Sequence, residues 1–107
     1  EKLIDRAIEL TNIKDLQNYY IDELSDGERQ KCMIARALAQ DTPIMLLDEP
    51  TSHLDVKNKA EITQLLKTIA EEFNKTIIFS SHDVEIAKKN SHIQLSIENN
   101  NLNMANS

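Results

Sequence analysis

The chain has 107 residues, room for one domain, and a formal net charge of -6. That balance disfavours a nucleic-acid binder, which needs a basic face, and no run approaches the ~18 apolar residues of a membrane-spanning helix. The single cysteine, Cys32, excludes an internal disulfide framework and suits a reducing cytosol.

In chain order, Leu3, Ile4, Ala7 and Ile8 form one stripe that predicts a helix over residues 2–11, ended at Asn12. Ile13 to Tyr20 is expected to form a second short helix or turn, with Leu16, Tyr19 and Tyr20 packed inward rather than functional. Ser25 is a good N-cap, and Glu28 three residues later completes a capping box for a helix through Gln40. Cys32, Met33, Ile34, Ala35, Ala37 and Leu38 make that helix apolar over much of its girth, so it should be mostly buried. A well-capped helix explains all of this except Gly27, the one glycine, set in a first turn where alanine is the better helix former. Glycine there permits a ligand to approach the backbone closely. A helix start with a serine hydroxyl and unpaired N–H groups favours an anion, phosphate above all.

The apolar run Ile44-Met45-Leu46-Leu47, flanked by Thr42-Pro43 and Pro50, predicts a strand buried on both faces, the habit of a parallel sheet covered by helices. It runs into Asp48 and Glu49. Ligands of open parallel sheets sit beyond the carboxyl ends of the strands, and extended geometry sends neighbouring side chains to opposite sides. One acid can then attend a metal and the other a water; alternatively, this is a strand ending in an acidic turn.

Ile62, Leu65, Leu66, Ile69, Ala70 and Phe73 repeat at helical spacing, and the helix they define ends near Asn74-Lys75. Thr76 to Ser80 is β-rich. Strand, amphipathic helix and strand make a βαβ unit with parallel strands. Their carboxyl ends share an edge, so His82 is expected beside Asp48 and Glu49. A histidine there is either a cap or surface residue, or a group for proton-handling work. Val84 to Lys89 predicts a short helix burying Ile86 and Ala87. Ile93, Leu95 and Ile97 alternate as a strand with one dry face, Asn99-Asn100-Asn101 turns, and Leu102 to Ala105 can return as a hairpin.

The order Leu24-Ser25-Asp26-Gly27-Glu28, Ile44 to Pro50, Thr51-Ser52-His53-Leu54-Asp55 and Ser80-Ser81-His82-Asp83 resembles the ATPase domain of ABC (ATP-binding cassette) proteins over residues 1–98. The resemblance implies an α/β fold: the C-terminal part of a P-loop NTPase, a parallel sheet with flanking helices and part of the helical subdomain. It divides the chain into residues 1–42, the end of the helical subdomain with the signature helix; 43–98, the Walker B, D-loop and switch-histidine core; and 99–107, a terminal turn and tail.

By the same resemblance, Ser25, Gly27 and Glu28 match the signature loop, whose serine and glycine touch the γ-phosphate of ATP held by the opposite subunit. Asp26 and Glu28 depart from the usual Gly and Gln. Two acids near a triphosphate weaken its grip unless a cation intervenes. Asp48 matches the Walker B aspartate, which holds Mg²⁺ largely through water, and Glu49 the general base. Asp55 matches the D-loop aspartate at the subunit junction, and His82 the histidine that contacts the γ-phosphate. The implied cofactors are ATP and Mg²⁺. The implied partners are a second ABC ATPase subunit and an integral-membrane permease, with no nucleic acid, on the cytoplasmic face of the cell membrane. The wording LSDGE leans toward importers of iron complexes, haem or cobalamin. A soluble ABC-type ATPase in DNA repair or translation, or a non-catalytic interaction module, are the alternatives.

A Walker A loop requires G-x-x-x-x-G-K-[ST]. Lys67-Thr68 and Lys75-Thr76 supply only its last two letters. With no initiator Met and one glycine, the chain reads as the C-terminal part of a larger domain, and alone it is expected to bind ATP poorly and hydrolyse nothing measurable. In the family the Walker A strand lies between the strand ending at Ser80 and that at Ile93–Ile97, so the bare fragment is expected to expose sheet edges and fold poorly.

Overall fold

The computed structural model describes residues 2–16, 18–90, 93–98 and 101–106. The elements are α1 (Lys2–Thr11), α2 (Asp26–Ala39), β1 (Ile44–Leu47), α3 (Val56–Glu72), β2 (Thr76–Phe79), α4 (Val84–Asn90), β3 (Ile93–Glu98) and β4 (Asn101–Asn106), with single 3-10 turns at Lys14–Leu16 and Ile21–Glu23. β1 and β2 pair in parallel, Ile44 opposite Thr76 through Leu47 opposite Phe79, as the βαβ reading expects. β3 and β4 form a separate antiparallel hairpin.

Local chemistry explains the helix ends. Ser25 and Glu28 form the anticipated capping box of α2. Asp55 caps α3, accepting from the Asn58 amide at 2.8 Å. Just past the ends of α1, α2 and α3, Asn12, Asp41 and Asn74 take left-handed backbone, with φ of 57°, 53° and 52°. Asn and Asp tolerate that conformation, which glycine usually supplies.

The core lies on one face of the β1–β2 sheet. Met45 is buried there with Ile34 and Leu38 of α2 and Ile62, Leu66 and Ile69 of α3, while Leu47 and Ile77 pack at its margin. Ion pairs fasten the helices outside it, Arg6 to Glu72 across α1 and α3 and Lys31 to Glu61 across α2 and α3. The expectation that β1 is buried on both faces fails: Ile44 and Ile78 are exposed, and Leu46 is 73% exposed. Alternation sends these side chains away from the helices, and no described element covers them.

Three other expectations change for the same reason, a shortage of partners. Tyr19 and Tyr20 are exposed, Tyr20 to 80%. Met33 and Arg36 leave α2 solvated along one side, so its burial is partial. Leu95 is exposed, so β3 has no dry face at that position. Ala87 is half-buried. The side chains of Leu3, Ile86, Ile93 and Ile97, and the Asn99-Asn100 turn, lie outside the described residues.

Leu46 and Ile62 should therefore respond oppositely to the same substitution in the purified chain. Leu46→Lys should lower concentration-dependent association in sedimentation velocity and keep the helical circular-dichroism signal. Ile62→Lys buries an unpaired charge and should remove that signal.

Candidate active site

Register brings the acids to their partners. Because Leu47 lies opposite Phe79, the next residues, Asp48 and Ser80, emerge side by side at the carboxyl edge. The Ser80 amide donates to the Leu47 carbonyl at 3.1 Å, extending the ladder by one bond. The Ser80 hydroxyl then donates to Asp48 Oδ1 at 2.7 Å and accepts from the Glu49 amide at 2.9 Å.

Glu49 is not extended. Its φ is 45°, a left-handed conformation that costs a residue with a side chain about 1–3 kcal/mol. The bond to Ser80 and the turn closed from the Ser52 amide to the Glu49 carbonyl, 3.1 Å, hold it there. This corrects the picture of alternating strand side chains: the two acids separate because the chain kinks between them.

The kink turns the Glu49 carboxylate toward His82, whose Nδ1 lies 2.6 Å from Oε1. The imidazole is 89% exposed, and an exposed pair of this kind adds little stability. Its meaning is positional. With Nδ1–H donating to Glu49, Nε2 is the ring nitrogen left for a ligand. Glu49 and His82 line an open cleft of about 450 Å³ with His53, Lys59, Asp83 and Glu85 among others. Lys59 also reaches Asp83, 3.8 Å away.

Ser25, Gly27, Glu28 and Asp55 lie elsewhere; none lines that cleft. They gather at the starts of α2 and α3. The Ser25 hydroxyl accepts from the Glu28 amide at 3.2 Å, which leaves its proton to donate outward, and Glu28 Oε1 is engaged by the Ser25 amide at 3.0 Å. Glu28 thus serves its own helix start. Asp26 has a cation beside it in Arg29, whose Nη1 lies 3.6 Å away and whose Nη2 donates to the Leu24 carbonyl. The i, i+3 spacing of Asp26 and Arg29 was the available signal. Ser80 was also missed as a bridging group, because its role depends on strand register.

Lys67-Thr68 is mid-helix, with Thr68 donating to the Gln64 carbonyl. Lys75 bonds the Thr42 carbonyl, at the amino-terminal edge of the sheet. Neither pair forms a phosphate loop. Among the described residues no three His, Cys, Asp or Glu side chains cluster to hold a metal by themselves, and no helix is long and apolar enough to cross a membrane.

Residues 2–88 match the family model described as "AAA domain, putative AbiEii toxin, Type IV TA system". The chain is 48% identical over 87 residues to an uncharacterized ABC transporter ATP-binding protein, MJ0873, of Methanocaldococcus jannaschii, covering 81% of this chain and 30% of the relative. It is 40% identical over 96 residues to the petrobactin import ATP-binding protein YclP of Bacillus subtilis, covering 90% and 38%. A methionine import ATP-binding protein, MetN of Lactobacillus acidophilus, matches at 42% over 89 residues, covering 83% and 25%. Among solved structures, the dimeric post-hydrolysis state of the ATP-binding cassette MJ0796 bound to ADP and Pi superposes with a TM-score of 0.78 at 31% identity, covering 94% of this chain and 44% of that one.

The chain belongs to this family, in its ABC ATPase form. It spans between a quarter and two-fifths of the length of these three relatives. The α/β fold expected of an ABC ATPase fragment, a parallel strand pair with helices, is the one observed.

Two measurements test this geometry. Ser80→Ala should speed exchange of the Glu49 amide proton about threefold to tenfold, the worth of one net hydrogen bond; hydrogen-exchange mass spectrometry reads it. Burial, with Glu28 adding to it, pushes the Cys32 thiol above its ordinary pKa, so less thiolate is present at neutral pH. Iodoacetamide should label Cys32 more slowly than a free cysteine near pH 7, the difference closing as pH rises.

Proposed function

We propose that this chain is part of the ATP-binding and ATP-hydrolysing subunit of an ABC transporter. The observation that carries the reading is the 2.6 Å approach of His82 to Glu49, at an edge where Ser80 also ties Asp48 into place. A base for water, a ligand for a cation and an imidazole for phosphate are the groups phosphoryl transfer uses, because that reaction depends on positioning and charge neutralisation.

Asp48 fits Mg²⁺: one oxygen is occupied by Ser80 and the other remains for water, and this ion prefers one or two carboxylates with waters and substrate phosphates over an all-protein cage. When bound, Mg²⁺ neutralises charge on the phosphates. Glu49 orients the attacking water and accepts its proton. His82, fixed through Nδ1, presents Nε2 to a terminal phosphate oxygen; donation to both partners at once makes the ring an imidazolium.

Ser25, Gly27 and Asp55 face a second cassette, across which each chain completes the other's site. What supports this is that they stand together at the starts of α2 and α3, and that the MJ0796 cassette this chain superposes on is dimeric. A phosphate-holding loop comes from a segment other than these residues, so the 107-residue chain alone is inactive. From the motifs we assign residues 1–42 to the helical subdomain and 43–98 to the catalytic core; of the expected terminal turn and tail at 99–107, Asn101–Asn106 pair with β3 as a strand.

The full protein works as an importer subunit on the cytoplasmic face of a membrane, against a permease. Its cargo is an iron complex, on the strength of the LSDGE wording and of a relative named as an iron(3+)-hydroxamate import ATP-binding protein, FhuC of Bacillus subtilis; the likeness to MetN is the counterweight. A soluble ATPase outside transport is the second reading, favoured by the family model's description, which names no transporter. Co-purification with a membrane permease separates the two.

Glu49→Gln in the full-length protein should cut phosphate release about 10²- to 10⁴-fold while ATP still drives association of two subunits in size-exclusion chromatography. Unchanged turnover in that variant overturns the assignment, and a scaffold shows neither effect.

A further inference from the structure

Gly27 is buried in the first turn of α2, and no glycine in the chain has positive φ. Its backbone therefore gives no reason for glycine, and in a helix glycine costs about 0.5–1 kcal/mol relative to alanine. The reason is spatial. A Cβ at position 27 would lie 2.9 Å from Cγ and Oδ1 of Asn58 and 3.1 Å from its Nδ2. No carbon side chain fits beside that carboxamide without moving it.

Asn58 is placed by its own helix. It is the third residue of α3, and its amide donates to Asp55 Oδ1 at 2.8 Å. One turn further along both helices, Lys31 Nζ meets Glu61 Oε2 at 3.1 Å. The two helices thus begin side by side, first by Gly27 against Asn58 and then by a charge pair.

We infer that Asn58 is a positioning residue: its carboxamide, admitted by the missing side chain at 27, keys the start of α2, which carries Ser25, to the start of α3, which carries Asp55. The two loops then move as one piece. Glycine at 27 admits this contact on the side facing α3, which leaves its outward side for a ligand. The consequence for catalysis rests on the ATPase reading above; the packing contact does not.

The test is a cycle of Gly27→Ala, Asn58→Ala and the double variant in the full-length protein. Thermal unfolding is read first and needs no ATP. The double variant should be more stable than the two single effects sum to, because removing the carboxamide makes room for the new methyl. Additive effects overturn the contact. A Gly27→Ala protein that folds only with Asn58→Ala supports it, and failure to fold in both backgrounds overturns it.

ATP hydrolysis and ATP-driven subunit association are read second. Gly27→Ala should lower kcat/KM about tenfold, the scale expected for a small misplacement of a positioned group, and Asn58→Ala should restore part of that loss. Asn58→Ala alone should raise KM for ATP and weaken association while leaving the unfolding midpoint nearly unchanged. An equal loss from Gly27→Ala in both backgrounds assigns the glycine to the ligand and overturns the inference. An inactive wild-type protein counts against the ATPase reading, and the unfolding cycle still decides the contact.

Discussion

The hydroxyl of Ser80 is the point on which the acidic edge depends. It has one proton and two lone pairs; the proton goes to Asp48, and one lone pair receives the Glu49 amide. A single side chain on β2 thereby fixes two consecutive residues of the neighbouring strand's exit. The Glu49 amide bond helps sustain a left-handed residue that β-region backbone would otherwise reclaim, and only from that conformation does the carboxylate meet His82. A slip of one residue between β1 and β2 would move Ser80 off Asp48 and turn Met45 away from the helices. The core and the site are held by the same register.

Much of this was legible from residue order. The βαβ unit followed from the Ile62–Phe73 spacing between two β-rich runs, and the meeting of His82 with Glu49 followed from parallel strands sharing an edge. The capping box at Ser25 and Glu28 needed only local chemistry. What escaped was whatever depended on a neighbour in space. The left-handed turn at Glu49 has no signature, since Glu is not a residue that favours it. The work of Ser80 depends on register, and the close neighbour of Gly27, Asn58, lies 31 positions away. The exposed tyrosines and the bare face of β1 escaped differently, because hydrophobicity states that a side chain prefers burial but not that a partner is present.

That bare face has its own logic. Ile44, Leu46 and Ile78 are as apolar as the face that carries Met45, and a strand with both sets is suited to a sheet covered on two sides. Here the helices cover one. The β3–β4 hairpin does not join β2, and Leu95, Leu102 and Met104 on it are likewise exposed. On the reading proposed here both surfaces meet other parts of the cassette, consistent with a chain that spans under half of the MJ0796 cassette it superposes on.

The two groups of polar residues share one kind of support, exposed hydrogen bonds, and differ in a second. The strand-end group is held by hydrogen bonds among exposed side chains, so Glu49 and His82 can yield to water and phosphate without disturbing the core. The helix-start group has exposed capping hydrogen bonds too, and close packing in addition, with Asn58 against Gly27 and with Ile34 and Ile62 of the same helices fully buried. Packing transmits displacement where solvated hydrogen bonds absorb it. If Ser25 and Asp55 serve a second cassette, a shift at one reaches the other through Asn58, and engagement of the partner is sensed by both loops together.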